Sequence, residues 1–575
     1  MNIRDGFELL ATAPDGVARL RELILSLAVQ GKLVAQDSTD EPASVLLEKA
    51  LANKERLIAE GSIRRDRVLP VISETEIPFP VPAGWEWIRL GTIGQIVGGG
   101  TPKSDVPEYW ANGDVPWLTP ADLYGFDGKR ICSGRRNISR RGLADSSAQL
   151  LPAGAVLFSS RAPIGYVAIA GNALATNQGF KSCVPYLDGL SDFLYWFLKS
   201  AAKSIDEAAS GTTFKEISGG DFSKVLAPLP PLAEQARIVA KVDELMQLCD
   251  ELEARGRLEA GQHARLTATL FDALAASESS HALAENWARV AAHFDLLLDR
   301  PEAVDALEKT ILELAVRGLL LPIDERNGTT SLLDETTTAT SVEQADGATD
   351  ESLNVAPYEI PSSWSWIRFG EIMRDLRYGT SAKCDYEVKG IPVLRIPNLK
   401  NGRISTDDLK FGALTPEEAA RLALVPGDLL LIRSNGSATL VGSAALVGEA
   451  CRDFAFAGYL MRIRLREDVA LPTYILLALE TEGVRTLIEG PIRTTSGVKN
   501  INSTEVSRLQ FPLPPLETQR RIVDRVDDLR RLCADLRERL SARQTCQTHF
   551  AEALVGQAAS TAPLVAHTDD LAAAA

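Results

Sequence analysis

One 25-residue pattern occurs twice in this chain, and this duplication constrains the fold more than any other feature. Pro228–Leu252 reads PLPPLAEQARIVAKVDELMQLCDEL and Pro512–Leu536 reads PLPPLETQRRIVDRVDDLRRLCADL, with identity at 15 of 25 positions and no gap. The offset of 284 residues is far longer than the unit of a solenoid, so whole domains are duplicated. The sequence therefore predicts two similar domains, related by approximate two-fold symmetry, that each end in a similar helix.

Shorter matches extend the duplication toward the N-terminus of each copy. A Trp-x-Trp motif opens both domains, and an earlier helical segment is also repeated. The matched residues are Trp85, Trp87, Ile88, Arg89 and Gly91 with Trp364, Trp366, Ile367, Arg368 and Gly370, and Ile24, Leu27 and Gly31 with Ile311, Leu314 and Gly318. The alternate spacing of the tryptophans on a strand favours a place in the core over a base-stacking role.

Two further alignments concern the interior of the domains. Gly100-Thr101 aligns with Gly379-Thr380, and Asn177–Phe180 aligns with Phe456–Tyr459. In that alignment the polar pair Asn177-Gln178 has no counterpart in the second copy. We therefore do not expect the two domains to share a role for this pair.

Composition places the chain among multidomain proteins with real cores. Its 575 residues imply several domains, and 45% of them are apolar. No run of 18 apolar residues predicts a membrane span, and the first residues do not resemble a secretory signal. Seven cysteines without a CxxC pair argue against a disulfide framework and against zinc, so a reducing cytoplasm is expected.

The net charge of −16 opposes nucleic-acid binding when it is taken over the whole chain. The charge is unevenly distributed, however. Residues 327–367 contain seven acids and no Lys or Arg, whereas Lys129–Arg141 contains six cations and no acid. Local fields therefore differ from the average, and DNA binding by part of the surface remains open.

The pattern of short apolar runs, helical periodicity and turn residues predicts a mixed α/β (α+β) fold with two heads. The predicted segments are an N-terminal helical region (1–76), a first head (77–232), central helices (233–325), an acidic linker (326–355), a second head (356–516), a C-terminal helix (517–560) and a disordered tail (561–575). Helices are expected at 15–35, 42–59, 190–200, 303–316 and 471–480, and buried strands at 155–158 and 428–432.

The helix after each head has apolar residues at alternating steps of four and three, which is typical of a coiled-coil seam. The seam residues are Ile238, Val242, Leu245, Cys249 and Leu252 in the first copy and Ile522, Val526, Leu529, Cys533 and Leu536 in the second. We expect the two helices to pair; the alternative is an amphipathic helix lying on its own domain. A helix of about 22 residues spans ~33 Å, so an antiparallel pair would separate the heads by about one turn of B-DNA, ~34–36 Å.

With these features the chain resembles the specificity subunits of type I restriction-modification systems. The resemblance is carried by the PLPPL-x-x-Q lead-ins (Pro228–Gln235, Pro512–Gln519), by the head-opening motifs (Pro82–Gly91, Pro361–Gly370) and by Leu20–Val34, and it covers nearly the whole chain. It implies that each head is a target-recognition domain for half of a split double-stranded DNA sequence. It also implies that the paired helices set the spacing and dock two methylation subunits, that restriction (motor) subunits join, and that S-adenosylmethionine, ATP and Mg²⁺ belong to the partners.

Candidate DNA contacts were chosen as cations, amides and hydroxyls at strand ends or in Gly-rich loops, because these groups bind phosphates and base edges. For any single residue, a solvated surface role is equally compatible with the sequence. The candidates are Thr101, Lys103, Arg135, Arg136, Arg161, Asn177, Gln178, Thr212 and Lys215 in the first head, and Thr380, Lys383, Arg395, Asn398, Arg433, Lys499 and Asn500 in the second.

No catalytic motif is visible in the sequence. It has no GxxxxGK loop and no Asn/Asp-Pro-Pro-aromatic motif, and its five histidines fall outside the heads. The sequence therefore predicts a non-catalytic DNA-recognition subunit without its own cofactor or metal. A structural scaffold that does not read DNA is the main alternative, favoured by the acidic charge, and an enzyme with an unrecognised site is a third.

Overall fold

A computed structural model describes residues 10, 13–65, 67–161, 163–209, 215–321, 358–489, 493–495 and 498–560. The predicted linker (326–355) and tail (561–575) lie outside these residues. The described residues form two compact units: the first contains those up to Leu258 and those from Gln544 onward, and the second contains Glu259–Arg543. Each unit includes one head. No described helix is both long and apolar enough to cross a bilayer.

The described helices include two very long ones, α7 and α16. The helices are α1 Gly16–Val29, α2 Ala43–Ala59, α3 Leu90–Ile93, α4 Arg140–Ala144, α5 Ser191–Ala208, α6 Gly219–Ser223, α7 Leu232–Ala275, α8 Ser280–Ala291, α9 Phe294–Leu297, α10 Pro301–Val316, α11 Phe369–Ile372, α12 Pro416–Leu422, α13 Pro472–Glu480, α14 Glu482–Glu489, α15 Ser503–Ser507 and α16 Leu516–Ser560.

The strands are confined to the two heads. Those of the first head are β1 Glu86–Arg89, β2 Gly94–Gly98, β3 Val115–Leu118, β4 Arg130–Ile131, β5 Arg136–Ile138, β6 Leu150–Leu151, β7 Val156–Ser160, β8 Ile164–Ala170, β9 Leu174–Thr176, β10 Lys181–Pro185 and β11 Leu226–Leu229. Those of the second are β12 Ser365–Arg368, β13 Met373–Tyr378, β14 Ile391–Leu394, β15 Leu399–Lys400, β16 Arg403–Ile404, β17 Lys410–Gly412, β18 Leu429–Ile432, β19 Ser434–Asn435, β20 Ala444–Leu446, β21 Ala455–Phe456, β22 Leu460–Leu465, β23 Arg493–Thr495, β24 Val498–Asn500 and β25 Gln510–Leu513.

Both heads are built on equivalent sheets, which confirms the predicted mixed α/β class. The first head has a five-stranded sheet, β2-β10-β7-β8-β4, and a four-stranded sheet, β5-β3-β9-β6. The second has a four-stranded sheet, β13-β22-β18-β20, and a three-stranded sheet, β17-β14-β21. In each second sheet one pair is parallel, β3 with β9 and β14 with β21. The cores of both heads lie between their sheets and helices.

The first and last strands of each head pair with one another, and we call this two-stranded ladder the clasp. In the first head β1 runs antiparallel to β11, with Trp87 opposite Pro228. In the second head β12 runs antiparallel to β25, with Trp366 opposite Pro512. The repeated Trp-x-Trp and Pro-Leu-Pro-Pro motifs are therefore neighbours in space, although more than 100 residues separate them in sequence.

The glutamine of each lead-in folds back on the prolines that precede the long helix. Nε2 of Gln235 donates to the carbonyl oxygen of Pro230 at 2.9 Å, and Nε2 of Gln519 donates to that of Pro514 at 2.8 Å. Both side chains are buried. Prolines suit the start of a helix but bring no N–H of their own, so the amide binds a carbonyl that would otherwise be buried without a donor.

Two repeated glycines join the N-terminal helical segments to the clasp. Gly31 follows α1 with φ of 69°, and a Cβ there would lie 2.4 Å from Cγ of Pro82. Gly318 follows α10 with φ of 76°, and its Cβ would lie 2.5 Å from Cγ of Pro361. The left-handed conformation and the close approach both require glycine. The tryptophan next to each contact, Trp85 or Trp364, is buried as predicted.

Most predicted helices and strands are present with ends shifted by a few residues. α7 contains 44 residues and α16 contains 45, so each is ~66 Å long at ~1.5 Å per residue. The C-terminal helix predicted over 517–560 agrees with α16, whereas the estimate of ~33 Å for a helix of about 22 residues is too short by about half. A helix of about 22 residues from Gln235 would end at Gly256, but Gly256 lies inside α7, and a Cβ there would meet nothing within 4 Å. A glycine within a helix costs about 1 kcal/mol, which a long helix can tolerate.

The predicted seam residues are buried or half-buried. Most of them pack against residues of the unit that contains the start of their own helix. Ile238, Val242, Leu245 and Cys249 belong to the core that α1 shares with the first head, and Ala551 and Val555 from the end of α16 join this core. Ile522, Val526, Cys533 and Leu540 belong to the core of the second head, while Leu252, Leu529 and Leu536 are half-buried. The alternative of a helix lying on its own domain therefore describes much of the seam. Each unit nevertheless contains the start of one long helix and part of the other.

The helical segment before each head also forms ion pairs with a long helix. In one unit the helical segment carries the arginine of the pair, and in the other unit it carries the glutamate. In the first unit, Arg21 of α1 contacts Glu253 of α7 at 2.8 Å. In the second, Glu308 of α10 contacts Arg537 of α16 at 3.2 Å. By the repeat alignment, Arg21 corresponds to Glu308 and Glu253 to Arg537. The same contact is thus made with opposite polarity.

Candidate nucleic-acid interface

Many of the predicted DNA contacts gather at one end of the main sheet in each head, and we call these loops the loop platform. In the first head it contains residues 99–103, 160–161, 176–180 and 215–217, which flank the ends of β2, β7, β9 and the start of β10. In the second head it contains residues 379–383, 433–434, 456–459 and 499–501. Several loops thus converge because the strands that carry them are neighbours in the sheet.

One glycine organises each platform. The N–H of Gly99 donates to the carbonyl oxygen of Phe180 at 3.4 Å, and that of Gly379 donates to the carbonyl oxygen of Leu460 at 3.3 Å. A Cβ would lie 2.0 Å from a carbonyl oxygen at Gly99 and 2.3 Å from one at Gly379. Gly99 is therefore the structural counterpart of Gly379. The sequence alignment of Gly100 with Gly379 was wrong by one residue, because an apolar and glycine-rich strand end offers no side-chain pattern to set the register.

The same correction applies to the loop that carries Asn177. The N–H of Asn177 donates to the last residue of β3 at 2.8 Å, and that of Ala457 donates to the last residue of β14 at 2.9 Å. Asn177 therefore corresponds to Ala457, and Gln178 to Gly458. The conclusion that the second head lacks this polar pair holds, with the partner residues corrected.

In the first platform three polar side chains lie together. The hydroxyl of Thr101 donates to Oε1 of Gln178, and Oδ1 of Asn177 accepts from the N–H of Gly179 at 2.9 Å. Nδ2 of Asn177 and Nε2 of Gln178 make no hydrogen bond to the described part of the chain. Because amides that offer a donor and an acceptor suit the edge of adenine, this pair remains the strongest candidate for base contact in the first head.

A stacked tryptophan joins two of the cationic candidates. The guanidinium carbon of Arg136 lies 3.9 Å from the centre of the Trp110 ring. The indole N–H of Trp110 donates to the backbone oxygen of Lys103 at 3.0 Å. Lys103 and Arg135 are exposed, and the backbone of Arg135 is held by Asp122. Trp110 is not predictable as part of this site from the sequence, because a tryptophan near a proline gives no signal of a distant arginine.

The other first-head cations are partly neutralised. Arg161 lies 3.8 Å from the carboxylate of Glu216, and Lys181 approaches the same carboxylate at 3.2 Å. Lys215 lies 3.4 Å from Asp206. Thr212 falls outside the described residues. The sequence could not show these acidic neighbours, because Glu216 reaches Arg161 through an isolated β-bridge between separated segments.

In the second platform the threonine is buried and its hydroxyl is already bound. The hydroxyl of Thr380 donates to Glu418 at 2.7 Å and accepts from the N–H of Ala382 at 3.0 Å. Lys383, three residues later, is exposed. A base contact by Thr380 would require its present partners to be exchanged, whereas Lys383 is accessible as it stands.

Arg395 and Asn398 follow the end of β14, which hydrogen-bonds to the platform residue Ala457, and they lie in a loop held by Asp408. Nη2 of Arg395 donates to the Asp408 carboxylate at 2.9 Å. Asn398 is only 2% exposed; its oxygen accepts from the N–H of Arg395, and its amide donates to the carbonyls of Ser405 and Asp408. Hydrogen bonds from Tyr386 and then Arg395 lower the pKa of Asp408. In this arrangement Asn398 orders the loop, and a DNA contact by it remains a prediction.

Arg433 stacks on an aromatic side chain of the second platform. Its guanidinium carbon lies 4.6 Å from the centre of the Tyr378 ring, and Nη1 donates to the oxygen of Gly458 at 3.3 Å. Lys499 and Asn500 are half-buried in β24, which pairs with β19 and β23. The N–H of Arg433 donates to the carbonyl oxygen of Tyr459, and the N–H of Ser160 donates to that of Gly179, which is the equivalent of Tyr459. Arg433 is therefore equivalent to Ser160 and not to Arg161. The two platforms thus offer different side chains on the same backbone.

Comparison with known proteins decides the family. The model for the type I restriction modification DNA specificity domain matches residues 82–260 and 361–543, one match for each head and the start of its long helix. The chain belongs to this family. It is 30% identical to the Escherichia coli type I restriction enzyme EcoEI specificity subunit and 29% identical to the EcoAI specificity subunit. Each alignment covers 94% of both chains.

Two solved structures are also similar. One, from work on complex assembly and conformational transition of a type I R-M system, has a TM-score of 0.48 at 19% identity and covers 84% of this chain and 99% of that one. The HsdS subunit from Thermoanaerobacter tengcongensis has a TM-score of 0.39 at 19% identity and covers 84% of this chain and 98% of that one.

Family membership confirms the predicted role of a DNA specificity subunit in a type I restriction-modification system. The scaffold alternative is not favoured. Among the described residues no cluster of three or more His, Cys, Asp or Glu could hold a metal ion. The seam thiols of Cys249 and Cys533 are buried, which raises the pKa of each to about 11 and suits packing better than reactivity.

Proposed function

We propose that each head reads one half of a split double-stranded DNA target. The supporting observation is the pair of loop platforms, which share their backbone hydrogen bonds but present different side chains. The first platform carries Asn177 and Gln178 where the second carries Ala457 and Gly458. Because sequence is read by side chains at base edges, equivalent loops with different side chains support recognition of two different half-sites.

We also propose that the chain carries out no chemistry of its own. Two methylation subunits dock on the helical parts and methylate one base in each half-site, and restriction subunits join for cleavage. In this proposal S-adenosylmethionine, ATP and Mg²⁺ act on those partners. The assembly works on DNA in the cytoplasm. The acidic surface is compatible with this, since partner subunits can supply further positive charge.

The long helices would then set the distance between the half-sites. Each is ~66 Å long, and each unit contains the start of one of them together with part of the other. A change in helix length should therefore change the number of unread base pairs without changing the bases that either head reads.

Methylation-sensitive sequencing of DNA from cells that carry this chain with its partners tests the proposal. A split motif is expected. Exchanging residues 77–227 for the corresponding head of another family member should change only one half of it. An unsplit motif, or changes in both halves, would contradict the assignment of one half to each head.

A second experiment tests the spacing. Insertion of seven residues after Gly256, which meets no neighbour within 4 Å, adds about two helical turns and preserves the a/d phase of the seam without disturbing the packing of Leu245. Both half-motifs should stay the same, with a longer spacer or with loss of modification. A normal motif with the normal spacer would show that α7 does not set the distance. Methyl transfer by the isolated chain with labelled S-adenosylmethionine would contradict the non-catalytic role.

A further inference from the structure

The second head carries a groove lined by arginines, away from the loop platform. Its volume is about 1190 Å³, and it lies along the first residues of β13, the last residues of β22 and the end of α12. The arginines that line it are Arg374, Arg377, Arg421, Arg462, Arg464 and Arg466, against three acidic residues, Asp375, Glu467 and Asp468. About five strand residues, or roughly 16 Å, separate Arg374 from Gly379 of the platform.

The floor of the groove is a fixed ion-pair network. Arg462 is 3% exposed; it contacts Asp375 and donates to the carbonyl oxygen of Ala423 at 2.9 Å. Arg464 binds Asp428, which is fully buried and does not line the groove, at 2.6 and 2.7 Å. Burial raises the pKa of Asp375, but hydrogen bonds from its arginine partners outweigh burial and lower it overall. The Asp375 carboxylate is therefore already paired with arginines, as is that of Asp428 behind the groove.

Two exposed arginines at the edge of the groove, which we call the rim, are not neutralised by an acidic partner among the described residues. Arg374 and Arg421 are exposed, and neither makes an ion pair with any residue that the structure describes. On the floor, Nε of Arg462 is buried and has no hydrogen-bond acceptor among the described residues. A buried guanidinium N–H without an acceptor is costly, so the present partners of Arg462 do not fully satisfy it.

The first head has no such charge at the equivalent place. Equivalence of Gly99 with Gly379 places Ser182 opposite Arg462 and Val184 opposite Arg464 in the two sheets. Ser182 and Val184 are neutral and are buried or half-buried. Packing of the common fold therefore does not require arginines here, and the cluster is specific to the second head.

We propose that this groove binds phosphate groups. Guanidinium groups pair with phosphate oxygens through two parallel hydrogen bonds, and arginines from two elements can hold such a group from both sides. The phosphates belong either to the DNA backbone beyond the bases read by the platform or to a free polyphosphate. The chemistry of recognition is the same for both sources.

The test uses the full-length chain and a matched pair of double variants. Arg374→Ala with Arg421→Ala removes the two rim charges. Arg403→Ala with Arg508→Ala removes two exposed arginines of the same head outside the groove that likewise make no ion pair with the described residues. Unchanged thermal unfolding of both variants shows that the fold is retained.

Binding of tripolyphosphate is measured by calorimetry at constant ionic strength, and binding of a duplex without the target motif is measured over a range of salt. We expect the groove variant to bind tripolyphosphate at least tenfold more weakly, and the control less than twofold. If DNA is the occupant, the groove variant should also reduce the slope of log affinity against log salt by about 2, since each phosphate contact contributes ~0.9.

If the groove variant loses affinity for tripolyphosphate but keeps the normal salt dependence of duplex binding, the groove binds a free polyphosphate. Groove and control variants that behave alike with both probes would overturn the proposal. The methylated motif is read independently of these probes. A wrong groove assignment therefore leaves the motif split, whereas failure of the proposed function would remove the split motif itself.

Discussion

The two heads share a backbone and differ in the surfaces they present. Each is closed by a clasp of its first and last strands, and each platform is organised by a glycine whose N–H binds the equivalent carbonyl. On this common frame the first head carries two amides and the second carries an alanine, a glycine and a separate arginine groove. The residues that the two copies share are those whose packing or backbone contacts exclude other side chains. The exposed positions are not constrained in this way and can differ between the half-sites.

The largest expected effect tests the shared frame. Gly99→Ala and Gly379→Ala each place a Cβ within about 2.3 Å of a backbone oxygen, so one strand end must move. We expect each variant to lose more than ~3 kcal/mol of stability in its own head only, which is the range for severe backbone clashes. Hydrogen exchange resolved by peptide would show this loss. Gly98→Ala is the matched control, because its Cβ meets only a lysine side chain at 4.0 Å.

A second effect distinguishes the two lead-ins. Gln519 binds the oxygens of Pro514 and Val469 and accepts from the N–H of Leu471. Within the described part of the chain, the side-chain amide of Gln235 binds the oxygen of Pro230 alone. Gln519→Ala should therefore cost ~2–3 kcal/mol, and Gln235→Ala about 1 kcal/mol, because more buried groups lose their partner in the second head. Chemical denaturation of both variants measures the difference; equal costs would show that these hydrogen bonds do not set the stability of the lead-ins.

A third prediction converts the surface of one head into that of the other. Asn177→Ala with Gln178→Gly gives the first platform the residues of the second. Loss of the amides should relax one half-motif by ~1–3 kcal/mol of base discrimination and leave the other half unchanged. Motif profiling measures this change. Lys103→Ala serves as a comparison, since loss of a cation should weaken binding of all sequences alike.

The exchanged ion pairs give a smaller effect. Arg21→Glu places like charges beside Glu253, and Arg537→Glu does the same beside Glu308. Each should cost ~0.5–1 kcal/mol, because these pairs are partly exposed. Exchange within the pair, Arg21→Glu with Glu253→Arg, should recover part of the loss in thermal unfolding, because Asp250, which also contacts Arg21 at 2.6 Å, stays acidic. A double variant as unstable as the single one would show that charge polarity at this contact does not matter.

The smallest effect is a pH dependence limited to the first unit. Burial raises the pKa of Glu234, although hydrogen bonds from Trp85 and Gln36 oppose it; the second copy has Thr518 at this position. A raised native pKa means that the native state binds more protons than the unfolded state. Stability should therefore fall as pH rises from ~4.3, the usual value for glutamate, through the raised pKa of the native state. Glu234→Gln should lack this decline when urea unfolding is followed between pH 4 and pH 7.

The amino-acid sequence was sufficient for the duplication, the class of fold, the family and the absence of a recognisable catalytic motif, because these depend on local patterns that recur at fixed spacing. It also predicted most helices and strands, although it ended α7 at Gly256. Which side chains of the platforms are available, and which are neutralised, depended on tertiary contacts. Glu216 beside Arg161, Trp110 beneath Arg136 and Asp408 around Asn398 come from distant segments.

Only the tertiary structure decided the equivalence of Gly99 with Gly379 and the gathering of six arginines in one groove. Register in a glycine-rich strand end is set by hydrogen bonds to neighbouring strands, and these leave no trace in the order of residues. The arginines lie on two strands and a helix that are far apart in sequence, so their shared charge exists only after the chain has folded.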